Sequence, residues 1–195
     1  MSEQYSLFSQ SQIREIKRPA VKSSEALYFS AASLEKWKQR IHRFQQSVIQ
    51  ELSQPQQVSL LDPMPQQPEI LSLNPLDLPQ QNTEFWRQKF PDVGGSAYYF
   101  VSDADVPLLL YVGETCHANT RWKGEHDCKS YLMNYVELHR RYDIPVTVQI
   151  AFYQDAPDDT RARQQLEQSL IQMWRSPFNK ENWKHWGKPF GAQKA

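Results

Sequence analysis

The chain lacks a net charge with which to attract a polyanion: Lys and Arg number 22, and Asp and Glu also 22. Each half is near neutral separately. A globally basic nucleic-acid coat is therefore excluded, and any contact with phosphate must come from a local cluster. Cysteine is nearly absent, with Cys116 and Cys128 alone, which rules out a disulfide framework and fits a reducing compartment. No run approaches the roughly 18 apolar residues of a bilayer span. Ser2, Glu3 and Gln4 follow Met1 with no apolar stretch, so neither a secretory signal nor a membrane segment is expected, and the cytoplasm is the expected location.

What is present is unevenly distributed. The 195 residues allow one ordinary domain with an appendage. Within residues 1–53, Ser33 offers an N-cap before Leu34, Trp37, Ile41, Phe44, Val48 and Leu52, whose spacings of three and four predict an amphipathic helix. Lys36, Lys38, Arg40 and Arg43 fall on its other face, as a solvated basic surface or as phosphate contacts. Residues 54–81 carry six prolines and many glutamines and read as a linker or extended strap.

Residues 82–195 are better patterned. A short helix through Phe85-Trp86-Arg87 is broken by Pro91 to Gly95. Ala97 to Val101 and Leu108 to Val112 predict two antiparallel strands. Helices follow near Asn119 or Thr120 and over Ser130 to Arg141. Pro145 to Tyr153 forms a third strand, and Asp158 or Asp159 starts a helix reaching about Trp174. The order predicts an α/β fold of the α+β kind: a small three-stranded antiparallel or mixed sheet flanked by helices, with a helical N-terminal extension.

Several positions carry chemistry. Helical spacing sets Glu167 beside Arg163, Leu170, Ile171 and Trp174, at the edge of an apolar stripe. A carboxylate there needs a partner. Arg163 would supply an ion pair worth about 0.2–0.5 kcal/mol, whereas a divalent cation would use the carboxylate as a hard oxygen ligand. Cys116, His117, His126 and Cys128 offer four zinc ligands, although an adjacent Cys-His pair suits one tetrahedral site poorly; two partly buried cysteines are the plainer reading. The tail alternates ring and base through Trp174-Arg175, Lys180, Trp183-Lys184-His185-Trp186 and Lys188. Such a tail could stack on single-stranded nucleic acid or close aromatically over the core.

Ser96-Ala97-Tyr98, Tyr111-Val112-Gly113, Arg121, Glu167 and Asn179 together resemble the conserved elements of the GIY-YIG nuclease superfamily, over about residues 94–183. The resemblance implies a metal-dependent endonuclease, with a place in DNA repair among its candidate settings, that hydrolyses phosphodiester bonds in DNA in preference to RNA with one Mg²⁺ or Mn²⁺. It implies that the phenols of Tyr98 and Tyr111 face one pocket, with Tyr98 helping to activate water and Tyr111 positioning the water or the phosphate. A free tyrosine titrates near pH 10, so the first role requires a lowered pKa. Arg121, followed by Trp122-Lys123, would clamp the scissile phosphate bidentately. Glu167 would hold the metal, Asn179 would support the site, and His126 would assist proton transfer. Lys123, Lys180, Trp183 and Lys184 are candidate nucleic-acid contacts.

Ser96 and Ala97 replace the Gly and Ile of the first motif, and the spacing from Tyr98 to Tyr111 is slightly long. Glu114 adds negative charge beside the second motif, as a further metal ligand or as a sign of an altered substrate. Gln4-Tyr5-Ser6-Leu7-Phe8 resembles the pentapeptide that docks repair and replication proteins on the DNA sliding clamp. The alternative reading is a catalytically inactive nucleic-acid- or protein-binding module on the same fold.

Overall fold

The elements follow in chain order as α1 (Ala31–Leu52), β1 (Gln81–Asn82), β2 (Ala97–Asp103), β3 (Leu108–Thr115), α2 (Asp127–Arg141), β4 (Val148–Tyr153), α3 (Thr160–Trp174) and α4 (Trp183–Trp186). They come from a computed structural model that describes residues 29–54, 68–82, 95–116 and 127–190. The sheet order is β1-β4-β2-β3 and every pair is antiparallel. The expected three strands are therefore present and antiparallel, joined by a two-residue fourth. The helices expected at Phe85 and at Asn119 or Thr120 fall outside the described residues. Among the described residues no helix is long and apolar enough to cross a membrane.

Both faces of the sheet are covered, which is why all seven residues of β2 are buried and the strand reads as a continuous apolar run. Tyr99 and Val101 pack with Leu34, Trp37 and Ile41 of α1 and with Leu132, Tyr135 and Leu138 of α2. Tyr98, Phe100, Leu109 and Val112 pack with Leu170, Ile171 and Trp174 of α3 and with Val48 near the end of α1. One helix, α1, thus contributes to both layers.

The ends of α1 correct two readings. Ser30, not Ser33, is the N-cap: its backbone is extended and its hydroxyl accepts the Ser33 N–H at 3.1 Å, so Ser33 lies in the first turn. Lys38, expected on the solvated face, is only 4 % exposed. Its ammonium donates to Asp103 Oδ2 at 2.9 Å and faces His139 Nε2 at 2.9 Å. Helix α2 begins three residues before Ser130 and β4 starts at Val148 rather than Pro145. Asp159 caps α3 through the Ala162 N–H at 2.8 Å.

The described part of the proline-rich stretch packs as a strap. It makes two 3₁₀ turns, Glu69–Leu71 and Pro75–Asp77. Ile70 is buried beside Leu71, Leu73 and Leu78 in the α3-side core. The strap ends in β1, where Gln81 pairs opposite Ile150.

Candidate active site at the edge of the sheet

Strand β3 is an edge strand, and its outward backbone groups need partners. Groups from α1, from α3 and from the segment after α3 supply them. Gln45 of α1 accepts the Leu109 N–H at 2.8 Å and donates to the Leu109 carbonyl at 2.9 Å. The Phe178 N–H reaches the Leu110 carbonyl at 3.0 Å. Asn179 accepts the Val112 N–H at 3.0 Å and donates to its carbonyl at 2.9 Å, while Ser176 donates to the Asn179 Oδ1 at 2.6 Å. Glu167 Oε1 accepts the Glu114 N–H at 3.0 Å. Two residues expected in the site are therefore fastened to one strand at positions flanking Gly113, about 7 Å apart at the rise of a β-strand.

Tyr99 lies opposite Gly113 in the β2–β3 register. The rings of Tyr99 and Tyr111 stack with centroids 5.8 Å apart and an interplanar angle of 28°. A Cβ at position 113 would run into the Tyr99 ring, so the glycine of Tyr111-Val112-Gly113 is required by this phenol. Tyr111 is half-buried, and its pKa is pushed well above the usual range, first by burial, then by Tyr99, with Glu167 adding to it. The phenol keeps its proton and acts as a hydrogen-bond donor.

Tyr98 was expected to share a pocket with Tyr111, and here the expectation is corrected. Consecutive strand residues point to opposite faces, so Tyr98 enters the α3-side core. It is fully buried, and its hydroxyl donates to the Arg163 carbonyl at 3.0 Å. Burial pushes its pKa up to about 12 against a lowering by Arg163. Tyr99 is the residue the motif comparison missed. Strand parity carries the signal: Tyr99 faces Gly113 across the hairpin, whereas Tyr98 faces Glu114.

The expected Arg163–Glu167 ion pair is replaced by another arrangement. Arg163, 1 % exposed, donates through Nε to Glu114 Oε2 at 2.6 Å. Its remaining N–H groups go to Ser96, to the Pro157 and Asp158 carbonyls, to Cys116 Sγ and to Thr160. Glu114 strengthens the hold on the guanidinium proton. This ties the first turn of α3 to the end of β3 and aims the next turn, bearing Glu167, at the edge. Glu167 raises both the Tyr98 and the Tyr111 phenol, as a carboxylate at the rim between the two faces does.

Among the described residues no group of three or more His, Cys, Asp and Glu side chains could hold a metal ion. A cation at this edge would rest on Glu167, with phosphate and water completing its shell. Arg121, Lys123, His126 and His117 lie outside the described residues. Lys180 and Lys184 are exposed on the segment following Asn179, and Trp183 is half-buried. Comparison with protein-family models, curated proteins and solved structures finds no match.

Proposed function

We propose that the protein is a metal-dependent nuclease of GIY-YIG type that hydrolyses phosphodiester bonds in DNA. One observation carries the reading: Tyr111 with its stacked partner Tyr99, Gly113 beneath the Tyr99 ring, and Glu167 and Asn179 all meet on one stretch of β3. A single Mg²⁺ or Mn²⁺ bound at Glu167 would neutralise phosphate charge and acidify a water. Tyr111, protonated and half-exposed beside Tyr99, positions the phosphate or the attacking water. Tyr99 acts through Tyr111 as a positioning residue. Arg121 clamps the scissile phosphate, because a planar fork of donors matches its oxygens. Asn179 holds the strand that carries Tyr111, and His126 lies close enough in sequence to Arg121 to serve in proton transfer.

The test incubates the full chain with supercoiled plasmid and with branched DNA in Mg²⁺, Mn²⁺ or EDTA, beside Glu167→Ala and Arg121→Ala. Cleavage is expected with either metal and is expected to fall by at least about 10²-fold in each variant. Cleavage persisting in EDTA or in Glu167→Ala would sink the mechanism. Failure to cut any DNA or RNA would favour a binding module on the same fold, as would binding of a sliding clamp through Gln4 to Phe8 without turnover.

A further inference from the structure

Lys36, Arg40 and Arg43 recur at intervals of four and three along α1, and all three are exposed. They form one stripe on the side away from buried Leu34, Ile41 and Gln45, while Glu35 lies on the other flank. The stripe does not stand alone. Arg40 lies 5.7 Å from the Trp186 ring centroid and donates to the His185 carbonyl at 3.4 Å, joining segments 145 residues apart. Arg175 lies 4.4 Å over the Phe44 ring, Phe44 meets Trp186 edge-on at 5.9 Å, and Lys188 lies 5.8 Å over Trp183. Exposed Lys184 continues the patch. Arg175 and Lys184 both disfavour the charged form of His185, adding to the effect of its burial. A chain with no net charge has thus gathered cations from α1, the end of α3 and α4 on one surface.

The aromatic rings serve as bases for cations and as walls of the core, so the surface presents fixed positive charge outward rather than open ring faces for stacking. The stripe from Lys36 to Arg43 extends about 10 Å at the helical rise, about three phosphates at the spacing of one strand. We propose that this α1–α4 surface binds the sugar-phosphate backbone of DNA without reading its bases. Its relation to cleavage rests on the nuclease reading. Gln45 fixes α1 at Leu109 and Glu167 meets β3 at Glu114, so the two lie about 17 Å apart along the strand. The surface supplies the local charge that a neutral protein otherwise lacks.

Binding is measured by fluorescence anisotropy with labelled single-stranded and duplex DNA of scrambled sequence, in EDTA, on full-length Glu167→Ala protein, over a salt series. The probe variant is Lys36→Gln with Arg43→Gln, which leaves the Arg40–Trp186 contact intact. The control, Arg140→Gln with Arg141→Gln, makes the same change of charge at the exposed end of α2. The probe variant is expected to weaken binding at least tenfold at low salt and to flatten the log–log salt slope by about 1.5 to 2, equally for different sequences. The control keeps most of the affinity. Absence of binding by the parent protein, an unchanged slope in the probe variant, an equal loss in the control, or equal competition by polyglutamate would each overturn the proposal. None of these results depends on cleavage, so the surface can fail while Glu167-dependent cutting stands.

Discussion

Two polar clusters sit at opposite ends of the β2–β3 hairpin, and they handle charge in opposite ways. At the turn end, Asp103 accepts from Lys38 at 2.9 Å and Tyr135 at 2.6 Å through one oxygen, and from the Asp105 and Thr147 N–H groups at 3.0 and 3.4 Å through the other. His139 completes the set, with Nδ1 2.7 Å from the Tyr135 carbonyl and Nε2 facing Lys38. Lys38, Asp103, Tyr135 and His139 are all buried. At the open end, Glu114, Arg163 and Glu167 share the rim, and Glu114 and Glu167 remain half-exposed. The first cluster closes on itself and locks α1 and α2 to the sheet. The second leaves carboxylate and phenol only partly buried. Burial with complete pairing makes a joint, and partial burial on a fixed scaffold makes a candidate site.

The comparison breaks most clearly at Asp103. Asp103→Ala strands the Lys38 ammonium and the Tyr135 hydroxyl in the interior, so unfolding in urea should show a loss of about 3–5 kcal/mol. Lys38→Met should cost less, because Asp103 keeps its Tyr135, Asp105 and Thr147 donors. Cleavage per folded molecule should change little in either variant, since Leu108 and Glu114 mark ends of the edge about 20 Å apart. A reversed order of the two stability losses would mean that the ammonium is not the costly group in this joint.

The adjacent tyrosines give a smaller and more selective effect. Tyr98→Phe removes the hydroxyl that satisfies the Arg163 carbonyl and should cost about 1 kcal/mol with cleavage intact. Tyr99→Phe removes a buried hydroxyl bonded to Tyr111 and should cost a similar amount while lowering cleavage, and Tyr111→Phe should lower cleavage further, by about 10²-fold. Thermal melts and single-turnover plasmid cutting separate the outcomes. If Tyr98→Phe were the variant that lost cleavage, the assignment of faces would be wrong.

These residues also mark how far the sequence is legible. The apolar spacing of α1 picks out Leu34, Trp37, Ile41 and Val48, and all four are buried, because a helix face is a local property. Lys38 lies beside that face, and its burial depends on Asp103, 65 residues away, which periodicity does not see. Strand existence is legible in the same local way. Assigning Tyr98 or Tyr99 to the site requires the hairpin register, and a shift of one residue moves a side chain to the other layer. Asn179 and Glu167 are legible as motif positions, but their bonds to Val112 and Glu114 belong to an edge whose neighbours come from three elements. The basic spacing on α1 is readable, whereas its union with Arg175 and α4 is a tertiary fact.

The sealed cluster has one titratable member near neutrality, and its charge state sharpens the contrast with the open rim. His139 donates from Nδ1 to the Tyr135 carbonyl and accepts from Lys38 at Nε2, which only the neutral imidazole can do. Lys38 on α1 faces it, Tyr135 lies on its own helix, and Asp103 and Asp105 come from the end of β2 and the turn beyond. Burial lowers its pKa first, Lys38 lowers it further, and the Tyr135 carbonyl and the two carboxylates oppose. The unfolded chain therefore binds the proton more tightly than the native state does. Its contribution to stability is present in full above about pH 6.5 and is lost as pH falls from there towards the folded pKa. Melting temperature should drop between pH 7.5 and 5.5, and His139→Gln, whose amide oxygen can still accept from Lys38, should flatten that drop. His185 shifts in the same direction through burial, Arg175 and Lys184, so the comparison is made on a His185→Gln background. A His139→Gln protein with the full pH dependence would place the titration outside the joint and remove the reason for regarding its histidine as neutral.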